Sequence, residues 1–172
     1  DGAGATIIEH TNDTEGIISH ATATHAIEEA NYIYFGSSNN LEDQNPRKYI
    51  KMNGRKIYNF ALTNVPKAMK SCLEDSGYDI KDLKKILIHQ ANEKMDEAIV
   101  KRFYGLYDMQ APQDIMPMTI NTLGNSSVAT VPTLYDLIIN NNMEGHSINK
   151  GDLIMFASVG AGMNINAMVY KA

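Results

Sequence analysis

Three residues, Gly160-Ala161-Gly162, separate two β-rich runs at 152–159 and 163–171. A crossover between parallel strands needs a dozen or more residues, so these two runs must pair as an antiparallel hairpin. Upstream, helical character begins after Asn53-Gly54, a strand covers 85–89, and a helix runs from Asn92 to near Gly105. A short strand at 114–120 and a helix over 127–143 complete the series. The order α-β-α-β-α-β-β predicts an α/β fold: a mixed five-stranded sheet packed against helices, with right-handed crossovers, ending in an antiparallel strand pair.

The leading part has a different texture. Runs at 3–10 and 16–25 alternate apolar with small polar residues and flank the turn formers Asn12-Asp13-Thr14-Glu15-Gly16, which predicts a hairpin. Residues 36–47, rich in Ser, Asn and Asp with one Pro, predict a surface excursion. The chain thus divides into leading strands and a surface loop over 1–50 and an α/β core over 51–172. Pro66 fits a helix if Asn64 caps a second segment, so two abutting helices are expected before Gly77 stops the second. Val65, Met69, Cys72 and Leu73 recur at helical spacing, which puts Cys72 on the buried stripe.

Composition excludes several functions. A net charge of −5, from 20 acidic and 15 basic side chains, argues against general nucleic-acid binding. No run reaches the roughly 18 apolar residues of a membrane span. One cysteine cannot form an internal disulfide, and the expected setting is reducing and cytoplasmic. His10, His20, His25 and His146 show no metal-ligand spacing, so no metal is expected. A serine-hydrolase elbow and a phosphate loop are both absent from the sequence.

Two positions stand out chemically. His89 closes a strand and precedes a helix, where the helix N-terminus disfavours imidazolium and keeps a neutral N–H donor. Asn125 follows Gly124 in what is expected to be a second strand-to-helix turn, and its amide donates without titrating. Taken singly, His89 fits a structural histidine and Asn125 an ordinary N-cap or Asx-turn. Together they form a pair of neutral donors suited to a developing oxyanion or enolate. The Gly160-Ala161 link can also expose a backbone N–H to a reacting carbonyl, although tight hairpins use glycine anyway.

With these residues assembled, the chain resembles the C-terminal half of β-ketoacyl-acyl carrier protein synthase III, a condensing-enzyme family of the thiolase superfamily. Asp1-Gly2-Ala3-Gly4-Ala5 is similar to that family's Gly-Asp-Gly-Ala strand, and Met52-Asn53-Gly54-Arg55 with Phe60-Ala61 to the lead into its helices. His89-Gln90-Ala91-Asn92 matches its His-Gln-Ala-Asn motif, and Gly124-Asn125-Ser126-Ser127 resembles Gly-Asn-Thr-Ser. The chain departs from the family at Val159, where an aromatic is common, at Ala161, a glycine there, and at Asn164-Ile165-Asn166, where Thr-Trp-Gly is usual. Those departures bear on chain-length preference more than on the His–Asn pair.

The resemblance implies a transferase that joins an acyl group to malonyl-acyl carrier protein with loss of carbon dioxide, in fatty-acid or related synthesis. It implies His89 and Asn125 as enolate-binding residues, Ala161 as the oxyanion-hole amide, and Gly124, Gly160 and Asn92 in support. Lys94 would meet the carrier or coenzyme, with Lys101 and Arg102 completing a basic patch or merely a solvated helix face. The substrates implied are acyl-coenzyme A and malonyl-acyl carrier protein, without a further cofactor. The nucleophilic cysteine is expected in an N-terminal half preceding Asp1, the isolated chain inactive, and the full protein a homodimer. The alternatives are a non-catalytic thiolase-fold binding or dimerisation module and a related polyketide or long-chain condensing enzyme.

Overall fold

A computed structural model describes residues 2–172. Asp1, the first residue of the run likened to the Gly-Asp-Gly-Ala strand, lies outside the described residues. The strands are β1 (Gly16–Thr24), β2 (Ile33–Gly36), β3 (Tyr49–Met52), β4 (Leu83–Ile88), β5 (Leu153–Gly160) and β6 (Asn164–Lys171). The helices are α1 (Gly54–Ser76), α2 (Glu93–Gly105), α3 (Ile120–Leu123) and α4 (Thr130–Ile139). The main sheet has the order β1-β6-β5-β4. Only β4 and β5 are parallel; β5–β6 and β6–β1 are antiparallel. The closing strand pair is the expected hairpin, with Gly160 opposite Asn164.

Both faces of this sheet are covered, which explains why β4 and β5 are apolar nearly throughout. Ile86, Ile88, Met155, Ala157 and Val169 face α1 and α2 through Val65, Met69, Cys72, Ile99 and Phe103. On the other side Leu87 and Ile154 meet Leu134 and Ile138 of α4. Each such aliphatic side chain contributes about 1.5–3 kcal/mol by burial.

The leading hairpin does not form. The 16–24 run does become a strand, but it pairs with β6 from Gly16↔Lys171 to Thr24↔Asn164, while residues 3–10 carry no strand and leave Ile7 and Ile8 exposed. An isolated two-stranded hairpin is marginal in water, whereas the β6 edge lets Ile18 and Ala21 pack on the core. The surface excursion stands: it is the loop between β2 and β3, which pair from Ile33↔Met52 to Gly36↔Tyr49.

The two abutting helices are one. Asn53 Oδ1 accepts the Lys56 N–H to start α1, Gly77 ends it at φ +75°, and Pro66 sits inside. Asn64 caps nothing; its Nδ2 donates to the Phe60 carbonyl at 3.1 Å. Proline withholds the N–H that would reach the Leu62 carbonyl four residues back. Arg102 Nη1 of α2 donates to that carbonyl at 3.2 Å, so the helix continues without an orphaned acceptor.

The main sheet has four strands, not five, because residues 114–120 lie along the β4 edge without forming a ladder. One backbone bond joins them, Ile86 N–H to the Ile115 carbonyl at 2.8 Å. The other bonds come from side chains: Lys85 Nζ to the Asp114 carbonyl at 2.6 Å and Gln90 Nε2 to the Pro117 carbonyl at 2.8 Å. Pro117 has no N–H to continue a ladder. The pairing order is parallel to β4, so the segment occupies the position of the expected strand.

Candidate active site

His89 is the first residue past β4. Its N–H donates to the Ala157 carbonyl at 2.9 Å, which closes the last parallel pairing, Ile88 with Ala157, and sets the ring at the carboxyl end of the β4–β5 pair. Ligands of open α/β sheets gather at such ends. Burial pushes the His89 pKa below the ordinary histidine value, while a backbone group of Ser127 acts the other way. Desolvation, the leading cause, disfavours the charged imidazolium, so the ring is a neutral donor near pH 7.

Asn125 lies between α3 and a 3-10 turn at Ser127–Ala129, not between a strand and a helix as expected. Its Oδ1 accepts the Ser127 N–H at 2.9 Å, an Asx-turn. That bond uses the acceptor end of the amide and leaves the donor end, Nδ2, in no hydrogen bond among the described residues. Ser127 is near both candidate residues: its N–H orients Asn125, and its backbone is close enough to His89 to oppose the effect of burial. Ser127 holds φ +56°, an uncommon conformation for a non-glycine residue. Gly124 before Asn125 stands at φ +66°, ψ −167°, with nothing within 4 Å of where a Cβ would be. Its value is therefore conformational: this region of backbone space belongs to glycine.

Residues 73–172, more than half of the chain, match the family described as 3-oxoacyl-[acyl-carrier-protein (ACP)] synthase III C terminal. The chain belongs to this family. It is 30% identical over 178 residues to the β-ketoacyl-[acyl-carrier-protein] synthase III of Acaryochloris marina, covering 99% of this chain and 50% of that protein. Against the enzyme of the same name from Levilactobacillus brevis the identity is 27% over 176 residues, with 99% and 51% covered. The chain therefore spans about half the length of the curated relatives it matches. Its fold is that of the synthase III from Thermus thermophilus, with a TM-score of 0.78 at 21% identity over 96% of this chain and 49% of that one. The priming β-ketosynthase of the R1128 polyketide pathway shares it too, with a TM-score of 0.73, 21% identity and 91% and 45% covered. The architecture is thiolase-like.

The remaining positions of this synthase III C-terminal chain divide by role. Asn92 caps α2, its Oδ1 accepting the Met95 N–H at 3.2 Å. Gly160 ends β5 in extended backbone, and Ala161 opens a tight turn at the same end of the sheet as His89. The Ala161 carbonyl accepts Asn164 Nδ2 at 2.8 Å, and Asn164 Oδ1 accepts Thr24 Oγ1 at 2.6 Å, so β1 braces that turn. Lys94 is exposed on the first turn of α2 between Glu93 and Met95. Arg102 is engaged with the Leu62 carbonyl, while Lys101, like Lys94, is exposed.

Cys72 is fully buried in α1, and burial pushes its thiol pKa up. Ser19 Oγ donates to the Cys72 carbonyl at 2.7 Å, with its Sγ 3.5 Å from the same hydroxyl. No group of three or more His, Cys, Asp or Glu residues suited to a metal occurs among the described residues. No helix among them is long and apolar enough to cross a membrane.

A cleft of about 200 Å³ lies between α2 and residues 111–118, and another of about 380 Å³ at the opposite end of the sheet near Leu83 and Leu153. Neither is lined by His89, which is half-buried, or by Asn125, which is exposed.

Sequence reasoning placed Gln90, Ser127 and the glycines Gly2 and Gly4 within matched motifs but gave them no individual role. A Cβ on Gly2 would lie 3.0 Å from Ala129 Cβ, and one on Gly4 only 2.8 Å from Pro132 Cβ, so the leading segment packs backbone-first against the elements that follow Asn125. The Gly-Ala-Gly run was the available signal.

Proposed function

We propose that this chain supplies the enolate-stabilising half of a decarboxylating condensation that extends an acyl group with malonyl-acyl carrier protein. The observation that carries this reading is the pairing of His89, kept neutral by burial, with Asn125, whose amide donor is left free by the Ser127 N–H on its acceptor end. Two neutral donors suit a malonyl thioester. As the bond to the carboxylate breaks and carbon dioxide leaves, the electron pair moves onto the thioester oxygen, where the ring N–H and the amide N–H hold the charge. The enolate carbon then attacks an acyl thioester, and the thiolate leaves.

That acyl group is carried by a cysteine outside these residues, since Cys72 is buried and its thiol is held in the protonated form. The chain alone is accordingly inactive in condensation, and the whole protein takes acyl-coenzyme A and malonyl-acyl carrier protein as substrates without a further cofactor and works as a homodimer. The Ala161 amide faces the acyl carbonyl in this scheme, Gly124 and Gly160 shape the two turns, Asn92 starts α2, and Lys94 meets the acidic carrier or coenzyme.

Malonyl-carrier decarboxylation by the full-length protein tests the reading. His89→Ala and Asn125→Ala should each lower turnover on the order of a hundredfold, the usual effect of removing one oxyanion donor. Wild-type turnover in both variants would overturn it.

A further inference from the structure

Gln90 directly follows His89, is fully buried, and uses both ends of its amide on one short segment. Nε2 donates to the Pro117 carbonyl at 2.8 Å, and Oε1 accepts the Thr119 N–H at 2.8 Å and the Thr119 hydroxyl at 3.0 Å. The orientation of the amide follows from its partners, because a main-chain N–H can only donate and a carbonyl can only accept.

Thr119 in turn begins α3: its carbonyl accepts the N–H groups of Thr122 at 3.0 Å and Leu123 at 2.8 Å. The Gly124 N–H closes the turn on the Ile120 carbonyl at 2.9 Å, and Asn125 comes next. No residue of α3 is buried, so this helical turn has no core side chain to hold it. Its upstream anchor is Gln90. Pro117 and the absence of a ladder along 114–120 leave the side chain to do what strand pairing does elsewhere.

We infer that Gln90 is a positioning residue that sets the place of Asn125 relative to His89. The inference rests on the proposed enolate-binding role of that pair. A buried amide with all its polar atoms used and a fixed direction is a stiff connection, and it runs from the residue beside one donor to the turn that presents the other. Displacing an oriented group by about 1 Å can cost up to a hundredfold in rate.

Gln90→Met and Gln90→Glu in the full-length protein test this, with two half-reactions followed separately. One is transfer of an acyl group from acyl-coenzyme A to the enzyme; the other is decarboxylation of the malonyl carrier. Gln90→Met should lower the decarboxylation kcat about tenfold or more, with KM and acyl transfer changed less than about twofold. Gln90→Glu is inactive in decarboxylation when ionised, because a carboxylate has no proton for the Pro117 carbonyl. Burial raises a carboxyl pKa, so the ratio of Gln90→Glu to wild-type turnover should climb as pH falls and the neutral acid forms.

A folded Gln90→Met variant with wild-type decarboxylation, or with equal losses in both half-reactions, overturns the inference. Should that variant not fold, the Gln90→Glu ratio decides: a ratio independent of pH overturns it. His89→Ala separates the two levels. Decarboxylation that survives in His89→Ala removes the enolate reading and this inference with it; decarboxylation lost there but intact in Gln90→Met removes this inference alone.

Discussion

Arg102 on α2 donates from Nη1 to the main-chain carbonyl of Leu62 on α1 at 3.2 Å, and that carbonyl is the one Pro66 leaves without its helical partner. Truncating Arg102 to Met should destabilise the chain by about 1 kcal/mol, the net worth of one hydrogen bond at a partly exposed site. Pro66→Ala restores the helical N–H, so in that background Arg102→Met should cost measurably less. Urea unfolding of the four members of this cycle checks the coupling.

Such pairings mark where legibility in the sequence ends. The closing hairpin, the strand before His89, the helix after Asn92 and the burial of Cys72 all follow from local spacing, and the structure bears them out. Arg102 and Leu62 are 40 residues apart, and Gln90 and Pro117 are 27 apart. No periodicity encodes those bonds, because they exist only once α2 lies on α1 and residues 114–119 lie along β4. The same limit explains the errors. Pro66 signals a break unless a distant side chain satisfies the Leu62 carbonyl, and residues 3–10 look like a strand until Gly2 and Gly4 are found packed against Ala129 and Pro132. His89 and Asn125 were visible as types, but Ser127 was visible only as the last residue of the run likened to Gly-Asn-Thr-Ser, which says nothing of its bond to Asn125.

Cys72 offers a test of packing that is independent of the site. It is the chain's one cysteine, fully buried, with its pKa raised first by desolvation. A thiol reagent should leave the native chain unmodified and label one equivalent only on unfolding, as seen by mass spectrometry after a timed quench. Rapid native-state labelling would show that α1 is not seated on β1 and β6 as described.

Asp96 links α2 to pH. Its side chain is fully buried, both carboxyl oxygens lack a hydrogen-bond partner among the described residues, and desolvation, with smaller contributions from Glu93 and Glu97, pushes its pKa up to about 7, while the nearby Asn92 backbone acts in the opposite direction. A pKa raised in the folded state gives stability that is fully present below the unfolded carboxyl value near 4 and is lost as pH rises through about 7. The chain should therefore lose denaturant resistance between about pH 4 and 7 relative to an Asp96→Asn variant, which cannot ionise and should show a flatter profile. The comparison is of urea midpoints for the two proteins across that range. Parallel profiles would mean that Asp96 is hydrated or paired and titrates normally.

Gly124 combines stability and chemistry in one substitution. Its φ of +66° with ψ −167° is open to glycine, and a Cβ there would touch nothing within 4 Å, so the cost of Gly124→Ala is backbone strain alone, about 1–3 kcal/mol. The exposed turn can relieve that strain by rotating, and Asn125 is the next residue to move. Gly105 is the control, because it ends α2 at an ordinary φ with equal space around it, and alanine there is neutral or mildly stabilising. On the proposed enolate-binding role of Asn125, Gly124→Ala should lower malonyl-carrier decarboxylation by the full-length protein at least tenfold, by the same geometric sensitivity, while Gly105→Ala leaves it unchanged. Acyl transfer from acyl-coenzyme A, which in the proposed scheme does not use Asn125, should survive in both. Equal decarboxylation by the two variants would separate the Gly124 conformation from the chemistry and leave it a feature of the turn.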